Sequence, residues 1–362
     1  MDDIYFTKSG KNNDPPGSEI NKNQKPEKKD NNIDIDSGRG KKKSPIKVLI
    51  SILLVVVIIF LSSFGYIYNL MSKVNYNEAG HKDNVYVNDD ALAFSSNVWN
   101  ILFVGVDRRS SDLSSRSDTM LLLSIDSANK KIKMTSFLRD LWIDIPDSGY
   151  AKLNAACTYG GAQLVMDTIE YNFNIKIDNY ALVDFEMFTD IIDMLGGVNV
   201  EVTEKESKYM STKVFENGVP LSISHGENVH LDGTEALWYC RIRALDSDFM
   251  RTYRQRKVMT SIISKFKQTN IIELKNIAID ILPKIETDLS ALTLTKLSFG
   301  TVFKYMRYEV EQAKIPADNT WKNGKKKGQS VLLADLDKNR LFLEDFLYSK
   351  DEKNGKNEGT SS

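Results

Sequence analysis

The alternation of polar and apolar positions divides the chain into stretches of different character. Residues 1–47 carry few apolar side chains and no periodicity, being rich in Lys, Asn, Asp, Pro and Gly, which predicts a disordered segment. Val48 to Ser72 is uncharged and built mainly from Ile, Leu, Val and Phe. As a helix it spans roughly 36 Å at ~1.5 Å per residue, which predicts one transmembrane helix over residues 48–71. A signal peptide is the alternative, but the apolar run is too long and no A-x-A-like cleavage site follows it. Residues 72–97 return to polar, Asn/Asp-rich sequence and predict a short stalk, whose reach, if flexible, is about 28 Å.

From residue 98 the pattern becomes that of a folded domain. Asn100–Asp107 is a short apolar run ending in Gly and Asp, which reads as a buried strand delivering a carboxylate at its end. Asp118–Asp126 and Lys131–Leu138 predict a second and a third strand, joined by a turn at residues 128–130. The loop through Pro146, Gly149 and Tyr150 leads to a helix from Leu153–Asn154, with Ala156, Leu164, Val165, Ile169 and Phe173 apolar and Gly160–Gly161 an early break. Strands follow at 180–183 and 198–202. Between them an amphipathic helix, Phe185–Leu195, stops at Gly196–Gly197. Residues 203–224 read as irregular, and 225–233 lead into a helix carrying Leu237, Trp238 and an arginine-rich window. Further helices are predicted near 252–268, 271–282 and 290–306. Two short strands about a Lys-rich loop at 322–328 and a helix over 335–348 follow, and the end of the chain, 350–362, reads as a flexible tail. Strands alternating with helices predict an α/β fold, a sheet between helical layers.

Composition narrows the function classes more by exclusion than by indication. With 48 basic and 49 acidic residues the net charge is −1, so bulk charge names no partner. No long basic run with interleaved aromatics occurs within the folded part, which disfavours nucleic acid. Two cysteines and three histidines exclude a zinc ribbon or a disulfide scaffold. Arg39, Lys41, Lys42, Lys43 and Lys47 precede the apolar span, against Lys73 and Lys82 just after it. The positive-inside rule therefore places the N-terminus in the cytoplasm and the domain outside, as a single-pass membrane protein.

The window Leu237–Gln255 carries the candidate chemistry. Arg241 and Arg243 are two residues apart, and Arg251, Arg254 and Gln255 fall in the first turns of a helix, where positions three and four apart share a face. Crowded guanidinium groups repel one another unless an anion sits between them, and their planar forks fit phosphate oxygens. Arginines at helical spacing more often form a solvated face paired with residues such as Asp246 and Asp248, and Arg254 reads as such a neighbour. Asp107 and Asp118 can meet at one sheet edge, where two carboxylates share a proton or a cation. Asp248 has two readings, a helix N-cap or a group that orients an arginine or takes the acceptor's proton.

These motifs, in order, resemble the LytR-CpsA-Psr family: Asn100-Ile-Leu-Phe-Val-Gly-Val-Asp-Arg-Arg109, Arg116-Ser-Asp-Thr119, Arg139-Asp140, Leu153-Asn-Ala-Ala with Tyr159-Gly-Gly161, Leu195-Gly-Gly-Val198, His230-Leu-Asp-Gly233, and Arg241-x-Arg243 followed by Asp248-Phe-x-Arg251-x-x-Arg-Gln255. The resemblance covers residues 98–315, with 316–349 similar to a C-terminal extension. It implies an α-β-α sandwich with a central mixed sheet and a hydrophobic prenyl pocket, which apolar strand residues such as Leu121–Leu123 and Ala181–Val183 would line if they are not simply core. It also implies an extracytoplasmic phosphotransferase that moves a glycopolymer, such as wall teichoic acid or capsule, from undecaprenyl diphosphate to peptidoglycan. By resemblance, Arg109, Arg116, Arg139, Arg241, Arg243, Arg251 and Gln255 bind the diphosphate. Arg139, Arg241, Arg243 and Asp248 act in catalysis, and Asp107 and Asp118 hold Mg2+, with Mn2+ as the alternative. The rival readings are a polyprenyl-diphosphate pyrophosphatase and a membrane-anchored regulatory binding protein. A disulfide between Cys157 and Cys240 stays open, since sequence does not supply the Cα separation it needs.

Overall fold

A computed structural model describes residues 45–77, 84–107, 116–214, 220–245 and 248–349, and gives residues 45–51 by backbone alone. In chain order the elements are α1 (Pro45–Met71), β1 (Asn75–Tyr76), β2 (Val98–Val106), β3 (Ser117–Asp126), β4 (Lys131–Phe137), β5 (Trp142–Ile145), β6 (Gly149–Lys152), α2 (Ala155–Phe173), β7 (Asn179–Asp184) and α3 (Phe185–Met194). They continue as β8 (Val198–Val202), α4 (Glu204–Met210), β9 (Gly226–Leu231), α5 (Gly233–Cys240), α6 (Asp248–Gln268), α7 (Ile271–Ile281), β10 (Glu286–Thr287), α8 (Ala291–Phe303), β11 (Glu309–Ile315), β12 (Trp321–Lys326), β13 (Gln329–Ala334) and α9 (Leu336–Tyr348). Of the expected disordered segment, residues 1–47, the part up to residue 44 lies outside the described residues, as does the tail beyond 349. Residues 45–47 instead belong to the first turn of α1, because the apolar helix extends one turn back through them.

A seven-stranded mixed sheet runs in the order β1-β10-β7-β2-β3-β4-β11. Strands β2 and β7 are parallel, β3 is antiparallel to both β2 and β4, and β11 joins β4 in parallel. One face carries Leu102, Val104, Met120, Leu122 and Leu182, sealed against Val165, Ile169 and Phe173 of α2 and Leu343 and Leu347 of α9. On the other face α3, α6 and α7 pack through Met187, Ile262, Phe266, Ile277 and Ile281 around Val183, while Leu297 of α8 packs beside Leu123. The alternation of side chains along each strand explains the two-sided core, since both faces are covered by helices.

Several elements differ from the sequence reading. Residues 142–152, read as a loop, form the β5–β6 hairpin. Within 203–224, read as irregular, α4 forms because Thr203 and Glu206 make a reciprocal cap at its first turn. Residues 226–231 pair with β8 as a separate two-stranded sheet, and Lys322–Lys326 are themselves strand rather than loop. The arginine window is not one helix, because α5 ends at Cys240 and α6 starts at Asp248. Asn75–Tyr76, read as stalk, joins the sheet through β10. Residues 316–349, read as a C-terminal extension packing on the domain, place Leu332, Leu343 and Leu347 in the main core. Cys157 and Cys240 are free thiols buried in different clusters, so they form no disulfide, and burial pushes the Cys240 thiol up to about 12.

Candidate functional site

Three strand ends converge at one edge of the sheet. Asp107 follows the C-terminal end of β2, Arg139 follows β4, and Asp118 lies near the start of β3, where the β2–β3 register shifts between Gly105 and Val106. β2 and β4 run the same way on either side of the antiparallel β3, so their carboxyl ends and the start of β3 share this edge. The α5–α6 turn brings Arg241 and Arg243 to the same place, and the first turn of α6 brings Asp248 and Arg251.

Within the cluster, cations and anions interleave. Arg139 donates from Nη1 to Asp118 Oδ1 at 2.6 Å, and Arg243 donates from Nη2 to the same oxygen at 3.0 Å. Arg241 Nη2 donates to Asp107 Oδ2 at 3.2 Å, while its guanidinium lies 4.3 Å from the Phe185 ring centroid and 5.9 Å from that of Trp238. Stacking of a guanidinium on aromatic faces fixes its plane. Arg251 pairs with Asp248 at 2.8 Å, and Asp248 Oδ1 also lies 3.6 Å from Arg139 Nε. Asp248 thus lies between two arginines, at the first position of α6.

The cluster holds polar capacity that the protein does not use. Arg139 Nε, Arg251 Nε and Nη1, and Asp248 Oδ2 are buried without a hydrogen-bond partner. Buried polar atoms are rarely left so, and unused guanidinium N–H groups mark a place where an anion fits. Burial pulls the Arg251 pKa down to about 10, helped by the neighbouring Arg139 and Arg243 and opposed by Asp248, so it stays charged at neutral pH. Burial raises the Asp248 carboxyl above the usual range, against the pull of Arg251 and Arg139.

The remaining expected residues separate. Gln255 is half-buried one turn beyond Arg251, on the same face of α6. Arg116 is exposed just before β3, and Arg109 lies outside the described residues. Arg254 is not a solvated neighbour: it is buried, with Nε on Glu206 Oε1 at 2.6 Å and Nη1 on the Ile242 carbonyl. Burial pushes Glu206 up, but hydrogen bonds from Thr203 and Arg254 outweigh it and hold the carboxyl below the usual range. The sequence reading missed Phe185 as the platform under Arg241, and nothing in its apolar helix pattern distinguishes it from core.

A groove of about 650 Å3 between α6 and β8, lined mostly by polar side chains including Tyr253 and Lys257, contains none of these arginines. The expected prenyl-lining residues Leu121, Leu122, Ala181 and Leu182 are buried as core, whereas Leu123 and Val183, with Phe103, keep partial exposure on the α6–α8 side.

Comparison with known proteins follows the same outline. The model of the LytR_cpsA_psr family matches residues 63–340. TagU of Halalkalibacterium halodurans, named a polyisoprenyl-teichoic acid–peptidoglycan teichoic acid transferase, is 33% identical over 226 residues, which are 61% of this chain and 70% of TagU. Regulatory protein MsrR of Staphylococcus aureus is 31% identical over 254 residues, 68% of this chain and 73% of MsrR. A solved structure of TagT bound to LIIa-WTA is similar with a TM-score of 0.59 and 25% identity, covering 75% of this chain and 98% of TagT.

Proposed function

The chain belongs to the LytR_cpsA_psr family and is a phosphotransferase, and from that premise we propose that it moves a glycopolymer from undecaprenyl diphosphate to a hydroxyl of peptidoglycan. The observation that carries this reading is the set of unused, buried guanidinium N–H groups on Arg139 and Arg251 beside Arg241 and Arg243. A diphosphate presents enough oxygens to occupy them, and TagT, a structural relative, is known with LIIa-WTA bound.

The chemistry assigns roles by position. The acceptor hydroxyl oxygen attacks the phosphorus that bears the glycan, a new P–O bond forms, and the bond to the prenyl phosphate breaks, leaving prenyl monophosphate. The hydroxyl proton passes to a base. Charge on the non-bridging and leaving oxygens is met by Arg139, Arg241, Arg243 and Arg251, held in advance by Asp107, Asp118 and Asp248. Arg116 and Gln255 stand further out as contacts to the substrate.

Asp107 and Asp118 are the carboxylates that would hold Mg2+, or Mn2+ in its place. Among the described residues there is no group of three or more His, Cys, Asp and Glu that could hold a metal. Two carboxylates still fit a Mg2+ that keeps waters and takes substrate phosphate oxygens into its shell. Such an ion supplies charge neutralisation to the transferring phosphate. In the structure both carboxylates accept from arginines: Asp118 from Arg139 and Arg243, and Asp107 from Arg241.

The prenyl chain is assigned to the α6–α8 side of the sheet, where Phe103, Leu123 and Val183 are half-buried while Leu102, Val104 and Leu122 on the α2 side are fully closed. The helix Ile52–Met71, long and apolar enough to cross a membrane, is assigned as a single-pass anchor, with the basic run before it on the cytoplasmic side and the domain outside. Binding of a prenyl diphosphate to the detergent-solubilised full chain tests the site. Arg139→Ala and Arg251→Ala should each weaken it by at least tenfold, the loss of a charge-assisted contact of about 1.5–3 kcal/mol. Unchanged binding in both variants removes the proposal.

A further inference from the structure

Helix α8 carries an apolar stripe that is largely exposed and meets α1 at Phe299. Leu292, Val302 and Phe303 are exposed, and Leu292, Phe299 and Phe303 follow one another at helical spacing with the exposed Lys296 between the first two. At the other side of the helix Leu297 packs under the sheet beside Leu123. The stripe is therefore the outer surface of the layer that covers the sheet's half-open face.

Its position along α1 identifies what it meets. Phe299 lies 5.8 Å from the ring of Phe60 and 6.0 Å from that of Phe64, stacked on the latter, and Ser298 Oγ reaches Met71 Sδ at 3.7 Å. Leu70 and Met71 pack with Leu282, Ala291 and Leu294 in the same cluster. The sequence has no charge from Val48 to Ser72. A hydrocarbon slab of ~30 Å takes up ~20 helical residues, and wherever it is set along that run it contains both Phe60 and Phe64. A ring stacked on them lies at hydrocarbon depth too. Tyr66 and Tyr68, exposed on α1 one turn further out, suit the interfacial belt. The exposed Lys296, Lys304 and Arg307 have stems long enough to carry their charge to anionic headgroups.

We propose that α8 is an interfacial helix that sinks its Leu292–Phe299–Phe303 stripe into the outer leaflet beside α1, so that the domain is clamped to the membrane rather than suspended above it. The layer between sheet and bilayer is then a single helix thick, which sets the half-open apolar face next to the acyl chains. This rests on the reading of α1 as a membrane anchor, and the experiment separates the two.

The full-length protein, reconstituted in vesicles of phosphatidylglycerol and phosphatidylcholine, is labelled with bimane maleimide at single introduced cysteines; the native Cys157 and Cys240 are buried and do not compete. Quenching by lipids brominated on the acyl chain is read at Ile58→Cys in α1, at Leu292→Cys and Phe303→Cys in α8, and at Leu341→Cys, exposed on α9. The expected result is quenching at Ile58, Leu292 and Phe303 but not at Leu341. Quenching at Ile58 alone leaves the anchor standing and overturns the clamp, as does equal quenching at Phe303 and Leu341. No quenching at Ile58 overturns the anchor and the clamp with it.

Discussion

Arg251 and Arg254 are three residues apart on one helix, yet they do unlike work. Arg251 faces the strand ends with two unused nitrogens, whereas Arg254 is locked to Glu206 inside the protein. Arg254→Ala should therefore unfold the domain more readily by roughly 3–5 kcal/mol, the cost of stranding a buried carboxylate, as measured by denaturant titration. Arg241→Ala and Asp118→Ala, by contrast, should abolish transfer and leave the melting temperature nearly unchanged, because both side chains are partly exposed and their ion pairs are weak in water. A collapsed fold in either would mark it as structural. Sequence could list these arginines but not sort them. Glu206, the residue that claims Arg254, lies 48 positions upstream in a stretch with no visible periodicity.

At the level of elements, the strongly periodic pieces were readable and the short, polar ones were not. Strands β2, β3, β4 and β7 and helix α3 fall within two residues of the pattern, and the break expected at Gly160–Gly161 is present, with Gly161 at φ 66°. Hairpin β5–β6, strand β9 and helix α4 escaped because each is short and is fixed by pairing or capping rather than by its own period. Close approach is equally invisible: a Cβ on Gly233 would lie 2.4 Å from the Thr189 carbonyl oxygen, backbone that cannot give way. Gly233→Ala should cost ~1–3 kcal/mol by overpacking. Because α5 leads into Arg241, it should also lower activity in a transfer assay beyond what unfolding explains. Helix α2 carries a pH signature. Burial pushes the Asp167 carboxyl up to about 6, opposed by the hydrogen bond from Gln163. Its folded pKa is above the unfolded one, so its stabilising share is complete below pH ~4 and is lost as pH rises through about 6. Asp167→Asn should raise stability at pH 8 by roughly 2 kcal/mol and flatten the change between pH 4 and 6, read from melts across that range.

Across the whole molecule, the sheet order is what makes the site. β2, β3 and β4 are consecutive neighbours, β7 returns on the far side of β2, and β11 closes the opposite edge, so carboxylates and arginines from residues 107 to 251 meet at one end. Strand order depends on contacts distant in sequence, and no local pattern encodes it. The motifs that resemble the family carried that information instead, and the family match over residues 63–340 accords with it. The most direct measurement gives the membrane-reconstituted full chain a radiolabelled saccharide on undecaprenyl diphosphate, with peptidoglycan oligomers and Mg2+, and identifies the product. The expected result is label joined to the oligomers through a phosphodiester, lost in Arg139→Ala. Label released only as free saccharide phosphate, or joined equally well by Arg139→Ala, would contradict transfer at this arginine cluster.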